Sequence, residues 1–363
     1  MKLFLIFIII GNTCFSQVNN DSLFEQLKQI PNDTEQVNQL YKHGFSIRNT
    51  DPEFALKCAY DIEQVALKSK SPKHIAKSYN LLGILFYKKA KYAKALKYQK
   101  QALRLNEIAQ YKYGMAINLT NVGNIFSDIN YLNLAETYYL RALQIYNHTG
   151  NKLQIAKCLL NIGVLKFNQK QYHASIKQFQ ETMKYADEIS DKDLLASCYN
   201  NIGNIFYLEQ KTDSALLYFE ESLKIREFIG NEFEMADSYI NLANVYISKQ
   251  KLKEAFEYIN RAELICLKYE YNDALIQLYN TKSNYFEKQN NFKEANVFLK
   301  KQVHLKDSLQ KMDEQNIDFS IVDENDNFER SNTTCKKNSF NSYLISLMAL
   351  LIVIPIYLIR KKR

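Results

Sequence analysis

Apolar and polar positions recur along this chain with a step of 40 residues. The stretch CYNNIGNIF, which begins at Cys198, is matched by NLTNVGNIF at Asn118 and by SYINLANVY at Ser238. Within each stretch the apolar residues follow the spacing of one face of an α-helix. Such a long period is typical of repeat architectures, in which each unit is a pair of antiparallel helices that closes its core only by stacking on the next pair.

Two small residues mark each unit and lie twelve positions apart. We expect them to let the two helix backbones approach closely, at a helix-propensity cost of up to about 1 kcal/mol where the residue is glycine. Large aromatic residues are expected to fill the space around them. The first small residue is Gly83, Gly123, Gly163, Gly203, Ala243 or Ser283, and the second is Ala95, Ala135, Ser175, Ala215, Ala255 or Ala295.

These marked positions resemble the tetratricopeptide repeat family. That family carries an aromatic residue, a leucine, a glycine and a tyrosine in its first helix, and an alanine and an aromatic residue in its second. The matching residues of one unit are Tyr199, Ile202, Gly203, Phe206, Ala215 and Phe219. The resemblance implies an all-α superhelix, or solenoid, of seven helix pairs. The repeat is 40 residues long rather than 34, which implies about six extra residues in the helices or the turns.

The resemblance covers residues 36–315, after a lead-in segment over 17–35. Seven units in unbroken register make the pattern specific, whereas a single unit would be weak evidence. The predicted units are 36–75, 76–115, 116–155, 156–195, 196–235, 236–275 and 276–315.

Asparagines repeat on one face of the first helix of each pair. Asn201 and Asn204, for example, are three residues apart and therefore share a face. In the tetratricopeptide family these positions line the concave groove, where an amide can donate to and accept from a peptide backbone. The alternative is that they serve only solubility or hydrogen bonds between repeats. The predicted ligand-binding residues are Asn121, Asn124, Asn161, Asn201, Asn204, Asn241, Asn244, Asn284, Tyr87 and Tyr207.

Both ends of the chain carry membrane signals. A basic residue and a short apolar run predict an export signal over residues 1–16, with lipidation at Cys14 as an alternative. Residues 340–359 are apolar over about 30 Å of helix, the thickness of a hydrocarbon core. This predicts a transmembrane helix that follows a polar linker over 316–339 and precedes a basic cytoplasmic tail over 360–363.

Charge and reactive residues exclude several functions. The formal net charge is +8, but residues 360–363 supply four of the positive charges, and lysines and acids alternate elsewhere. This distribution does not favour a nucleic-acid partner. Nor does the sequence contain a nucleophile motif with a plausible base, so we expect no enzyme and no cofactor.

Histidines and cysteines do not indicate a metal site or a disulfide. The histidines lack a second ligand at metal spacing, and we expect each at the surface or at a helix end. We expect no bridge between Cys158 and Cys198, because equivalent stacked helices lie about 8–10 Å apart. Cys58 and Cys266 are expected in the core. The five histidines are His43, His74, His148, His173 and His304.

Together these features predict a membrane-anchored module that binds a protein or peptide outside the cytoplasm. The layout resembles bacterial sensors in which an external repeat array is joined through one span to a histidine kinase or a helix-turn-helix regulator. We expect the repeats on the periplasmic side of the inner membrane, a protein or peptide in the groove, and a membrane-embedded signalling partner. The alternative is a scaffold that assembles envelope protein complexes without signalling.

Overall fold

The computed structural model describes residues 20–48 and 51–313, and regular structure within them is entirely α-helical. From α3 onward each helix begins 20 residues after the preceding one. The helices are α1 (Asn20–Leu27), α2 (Asp33–Ile47), α3 (Pro52–Lys68), α4 (Pro72–Lys88), α5 (Tyr92–Ile108), α6 (Lys112–Asp128), α7 (Leu132–Thr149), α8 (Lys152–Asn168), α9 (Tyr172–Glu188), α10 (Lys192–Leu208), α11 (Thr212–Ile229), α12 (Glu232–Ser248), α13 (Leu252–Lys268), α14 (Asn272–Lys288) and α15 (Phe292–Asp313).

The helices form seven antiparallel pairs, which run from α2/α3 to α14/α15. In each pair we call the even-numbered helix the first helix and the odd-numbered helix the second helix. Each second helix packs against its own first helix, and those from α3 to α13 also pack against the first helix of the next pair. The pairs therefore stack into an all-α superhelix, which confirms this part of the predicted fold. The predicted unit boundaries themselves stay predictions.

Short turns explain the regular spacing of the helices. Turns of two or three residues join α3 to α15, so the extra residues of the 40-residue repeat lie in the helices. A residue in the left-handed conformation ends each helix from α3 to α14, and two of these residues are Gly150 and Gly230, which carry no Cβ penalty there. The others are Lys70, Ala90, Gln110, Asn130, Lys170, Ser190, Gln210, Gln250, Glu270 and Asn290.

The predicted small residues lie where the two helices of a pair approach each other. A Cβ atom added to Gly203 would lie 2.7 Å from ring carbons of Phe219 in the second helix, closer than real side chains come. Where the glycine is replaced, the partner is aliphatic: Ala243 is equivalent to Gly203, and Ile259 is equivalent to Phe219. The glycines at the equivalent position face large planar groups in the same way, in the pairs Gly83 with Gln99, Gly123 with Tyr139 and Gly163 with Phe179.

Stacked aromatic rings also join the two helices in four of the pairs. The rings of Phe286 and Phe298 stack with centroids 5.6 Å apart, one from the first helix and one from the second. Equivalent stacked pairs recur along the array, with centroid distances of 5.4–5.5 Å, and these are Phe86 with Tyr98, Phe126 with Tyr138 and Tyr246 with Tyr258. Offset stacking at this distance adds about 0.5–1.5 kcal/mol beyond the burial of the rings.

The structure corrects the membrane part of the prediction. Across residues 20–48 and 51–313, each helix falls short of the length or the hydropathy that crossing a bilayer requires. This finding corrects the predicted fold class, which added a membrane helix to the superhelix, and the predicted localisation in the inner membrane. The segments predicted as export signal, linker, membrane helix and basic tail (1–16, 316–339, 340–359 and 360–363) lie outside the described residues.

One histidine prediction is also wrong. His43 lies in the middle of α2 and is buried, at 9% exposure, rather than on the surface or at a helix end. The cysteines, by contrast, agree with the prediction: Cys58, Cys158, Cys198 and Cys266 are buried free thiols. Burial raises the pKa of Cys158 and of Cys198 to about 12, so both remain protonated and unreactive near neutral pH.

We expect Gly203→Ala to lower the free energy of unfolding by about 1–2 kcal/mol. Overpacking of a filled core costs about 1–3 kcal/mol, and the better helix propensity of alanine returns only part of it. Urea denaturation followed by circular dichroism measures the change. Adding Phe219→Ile should restore much of the stability, because Ala243 and Ile259 are the native residues at the equivalent positions. A single variant as stable as the wild-type chain would contradict this account of the glycine.

Candidate functional site

The first helices line the concave side of the superhelix. Contacts between successive first helices, from α2–α4 to α12–α14, are more extensive than contacts between successive second helices. A stack of pairs that is tighter on one side curves toward that side. The polar residues of α4, α6, α8, α10, α12 and α14 therefore form the candidate site, which we call the concave face.

The predicted ligand-binding residues all lie on these first helices. Their side chains are half-buried, except for the exposed side chain of Asn284. The half-buried residues are Asn121, Asn124, Asn161, Asn201, Asn204, Asn241, Asn244, Tyr87 and Tyr207. Half-burial leaves each side chain able to contact both a neighbouring unit and a bound molecule, so the hydrogen bonds decide between these roles.

Three of the asparagines connect neighbouring units. The side-chain amide of Asn121 donates to Asn80 Oδ1 in the preceding first helix, at 2.9 Å. Asn241 donates in the same way to Asn200 Oδ1, at 2.9 Å. A third bond, from Asn161 to Asn124 Oδ1 at 3.2 Å, also crosses between units. These amides stabilise the stack, which is the alternative role considered for the asparagines.

Asn201 differs because the preceding unit offers it no amide. Leu160 and Val164 occupy the positions at which α8 would present an acceptor. The amide of Asn201 instead donates to the backbone oxygen of Ser197 in its own helix, at 2.9 Å. The role of an asparagine on this face therefore depends on the residue in the unit before it.

Three asparagines keep their amides available on the concave face. The side chains of Asn204, Asn244 and Asn284 make no hydrogen bond to another residue in the described part of the chain. They occupy the same position in three consecutive first helices, α10, α12 and α14. Each presents a donor and an acceptor, spaced by the separation of packed helices, which is about 8–10 Å.

The two predicted tyrosines each contact the next unit. Tyr87 Oη donates to Asp128 Oδ2 at 2.6 Å, and burial raises the pKa of both groups. Tyr207 Oη lies 3.2 Å from Ser248 Oγ, so one hydroxyl donates to the other. Both rings remain half-exposed on the concave face. The hydroxyls thus connect units, while the rings remain available for contact.

A buried amide cluster, which was not predicted from the sequence, joins α4, α5 and α6. Asn118 Nδ2 donates to Gln99 Oε1 at 2.7 Å and to Asn80 Oδ1 at 3.2 Å. Asn106 Nδ2 donates in turn to Asn118 Oδ1 at 2.7 Å. The amide cluster comprises Asn80, Gln99, Asn106 and Asn118, all of them buried. Polar residues at core positions of the repeat were the available signal.

A partly buried charge cluster lies at α11 and α12. Arg226, which is only 2% exposed, donates to Glu234 Oε2 and to Ser238 Oγ, both at 2.6 Å. Tyr271 Oη donates to Asp237 Oδ2 at 3.3 Å. Burial and the neighbouring Glu234 raise the pKa of Asp237 to about 6. The charge cluster comprises Arg226, Glu234 and Asp237, so its carboxylates outnumber its cation.

A half-buried cation lies at the other end of the concave face. Lys77 of α4 donates to Asn38 Oδ1, and burial followed by the nearby Lys73 lowers the pKa of Lys77. Lys77 and Asp237 occupy equivalent positions in their helices, four units apart. The concave face is therefore basic near α4 and acidic near α12. Among the described residues there is no group of side chains suited to hold a metal ion.

Comparisons with known proteins support the repeat fold. Sequence models of the tetratricopeptide repeat match residues 75–109, 154–227 and 236–268, so the chain contains tetratricopeptide repeats. No match was found among curated proteins.

Several solved structures share this fold at low sequence identity. The apo form of RapI is 15% identical, with a TM-score of 0.62, over 76% of this chain and 99% of that one. A Rap protein complexed with Competence and Sporulation Factor is 14% identical, with a TM-score of 0.60, over 81% and 92%. NprR in complex with its cognate peptide NprX is 20% identical, with a TM-score of 0.59, over 87% and 93%. At such identities the likeness establishes the fold alone.

We expect Asn118→Ala to lower the free energy of unfolding by about 2–3 kcal/mol. The substitution removes the partner of three buried polar groups, and an unsatisfied buried group costs about 1–3 kcal/mol. Asn204→Ala is the matched control, because that amide bonds no described residue and should change stability by less than about 0.5 kcal/mol. Urea denaturation compares the two, and equal losses would contradict the distinction between them.

We expect Asp237→Asn to raise stability more at pH 7 than at pH 5. The folded pKa of about 6 lies above the ordinary value of 3.8. The folded chain therefore binds more protons than the unfolded chain between these values, and stability falls as pH rises through them. The gain from Asp237→Asn should be larger at pH 7 by about 1 kcal/mol.

Denaturation of Asp237→Asn and wild-type chains at both pH values measures this difference. Asp187→Asn, at an exposed aspartate of α9, is the control. It should change the free energy of unfolding only slightly at pH 5 and at pH 7. A gain from Asp237→Asn that does not depend on pH would contradict the assignment of a raised pKa to this carboxyl.

Proposed function

We propose that the chain is a peptide- or protein-binding module that holds an extended segment of its partner along the concave face. The observation that carries this proposal is the row formed by Asn204, Asn244 and Asn284, whose amides bond no other described residue. An extended chain advances about 3.3 Å per residue, so amides about 8–10 Å apart meet its backbone groups at about every third residue.

The amides suit a backbone ligand chemically. A primary amide donates and accepts at once, and therefore matches the N–H and C=O groups of a peptide regardless of its side chains. The half-exposed rings of Tyr87 and Tyr207 lie one turn beyond the asparagine positions and offer apolar contact. Amides thus supply affinity for any extended chain, whereas other groups must supply specificity.

The charges on the concave face supply that specificity in our proposal. Lys77 and Lys73 favour a carboxylate near α4, whereas Glu234 and Asp237 favour a cation near α12. A bound segment with an acidic group at one end and a basic group at the other would satisfy both. The polarity of the face therefore also orients the segment along the array.

Structures of the same fold support the peptide proposal. Among them are a Rap protein complexed with Competence and Sporulation Factor and NprR in complex with its cognate peptide. By analogy we propose that occupancy of the concave face carries a signal to a protein partner, which makes the chain a receptor component rather than an enzyme.

A scaffold that assembles proteins without signalling is the second candidate function. It is favoured by apolar side chains that the second helices expose on the opposite side of the array. Phe228 is 74% exposed, Leu264 71% and Ile108 63%. A scaffold would use this convex side as well as the concave face, so variants of the concave residues alone would leave part of its binding intact.

We expect Asn204→Ala with Asn244→Ala to reduce peptide capture at least tenfold and to leave the melting temperature nearly unchanged. Two lost hydrogen bonds of about 1 kcal/mol each correspond to such a factor. Binding of the full chain to an array of immobilised ten-residue peptides, which vary at every position, measures capture. Asn284→Ala can be added to complete the row.

The matched control is Asn121→Ala with Asn241→Ala. These asparagines bond to the preceding unit. Their loss should therefore lower the melting temperature and change peptide capture less than the loss of Asn204 and Asn244 does. A wild-type chain that retains no peptide would contradict the proposal. So would an Asn204/Asn244 variant that retains the wild-type set of peptides equally well.

A further inference from the structure

The outer face of α15 is exposed at positions that the earlier second helices bury or half-bury. From α3 to α13, each second helix is covered by the first helix of the following pair. Within the described residues no helix follows α15. The last helix therefore exposes the face that, in the six earlier second helices, packs against the first helix of the next pair.

A comparison by position shows which side chains change. Leu299 is 45% exposed, whereas its six equivalents are at most 3% exposed. Those equivalents are Ala59, Gln99, Tyr139, Phe179, Phe219 and Ile259. Val303, four residues further on the same face, is 50% exposed. Its equivalents Leu103 and Leu223 are buried, and Glu63, Leu143, Met183 and Glu263 are half-buried. Two large apolar side chains thus lie half in solvent at positions that the following first helix covers in the earlier units.

Polar groups at this end occupy positions whose equivalents make contacts between units earlier in the array. Lys306 is exposed and is equivalent to Arg226, which pairs with Glu234 of the following first helix. Asn280 of α14 is exposed and is equivalent to Asn200, which accepts from Asn241 of that same first helix. A helix that covers this face as α12 covers α11 would need an acid in its first turn and an amide seven residues later.

We propose that this terminal face (Asn280, Leu299, Val303 and Lys306) docks an amphipathic α-helix of a partner protein. The docked helix continues the stack as an additional first helix. Its apolar side covers Leu299 and Val303, its carboxylate pairs with Lys306, and its amide donates to Asn280. This surface lies at the end of the array and is separate from the row of unpaired amides on the concave face.

The chain itself provides a suitable probe. Residues 231–248 comprise α12 and its N-terminal cap Asn231, and they carry Glu234 and Asn241 at the required positions. A fluorescent peptide of this sequence, titrated with the full chain and followed by anisotropy, should show saturable binding at one site. We expect Leu299→Asp to weaken binding at least tenfold. The side chain is already half in solvent, so the fold should tolerate the charge.

Charge reversal tests the register of the docked helix. Lys306→Glu should weaken binding severalfold, and Glu234→Lys in the peptide should restore it, as expected for a desolvated ion pair. Leu264→Asp, at a 71% exposed position of α13 away from the terminal face, is the control and should bind as the wild-type chain does. The absence of saturable binding would overturn the proposal. Binding that neither Leu299→Asp nor Lys306→Glu changes would overturn it equally.

Discussion

The close approach of the two helices in each pair sets the geometry of the whole array. At that contact a residue with little or no side chain faces a large one, as Gly203 faces the ring of Phe219. The ring occupies the space of the missing Cβ, which fixes the separation and register of the pair. The second helices from α3 to α13 also contact the first helix of the next pair. The geometry of one pair therefore determines the position of the next, and the row of first helices on the concave face results from this repetition.

Polar contacts add selectivity to this apolar stacking. The amide cluster and the charge cluster both place a polar residue near the end of a second helix against the following first helix: Asn106 contacts Asn118, and Arg226 contacts Ser238. A buried polar group without its partner is costly, so each of these interfaces accepts one neighbour and disfavours the others. We infer that these contacts specify which unit follows which, while the apolar core supplies most of the stability.

Much of the fold could be predicted from the sequence because the 40-residue period reflects a packing requirement. Small residues must recur at fixed positions where backbones meet, so the spacing of Gly83 and Ala95 is enough to indicate a helix pair. The periodicity could not show which of the equivalent side chains form contacts between neighbouring units. Asn161 and Asn201 are equivalent in sequence, yet only Asn161 finds an amide acceptor in the preceding helix. The membrane prediction rested on hydropathy and flanking charge at the two ends of the chain, and neither carries information from packing.

The role of each asparagine on the concave face therefore depends on the residues of the neighbouring unit, because the residue type is the same throughout. Near α4 and α6 the amides bond one another in the stack, and few remain for a ligand. From α10 to α14, Asn204 and Asn244 bond no other described residue, and the acidic pair Glu234 and Asp237 lies on α12 beside them. An extended segment bound at this part of the face would bring its backbone to the amides and a cationic group to the carboxylates. Because a nearby cation favours the ionised form of Asp237, such binding would also strengthen as pH rises through about 6.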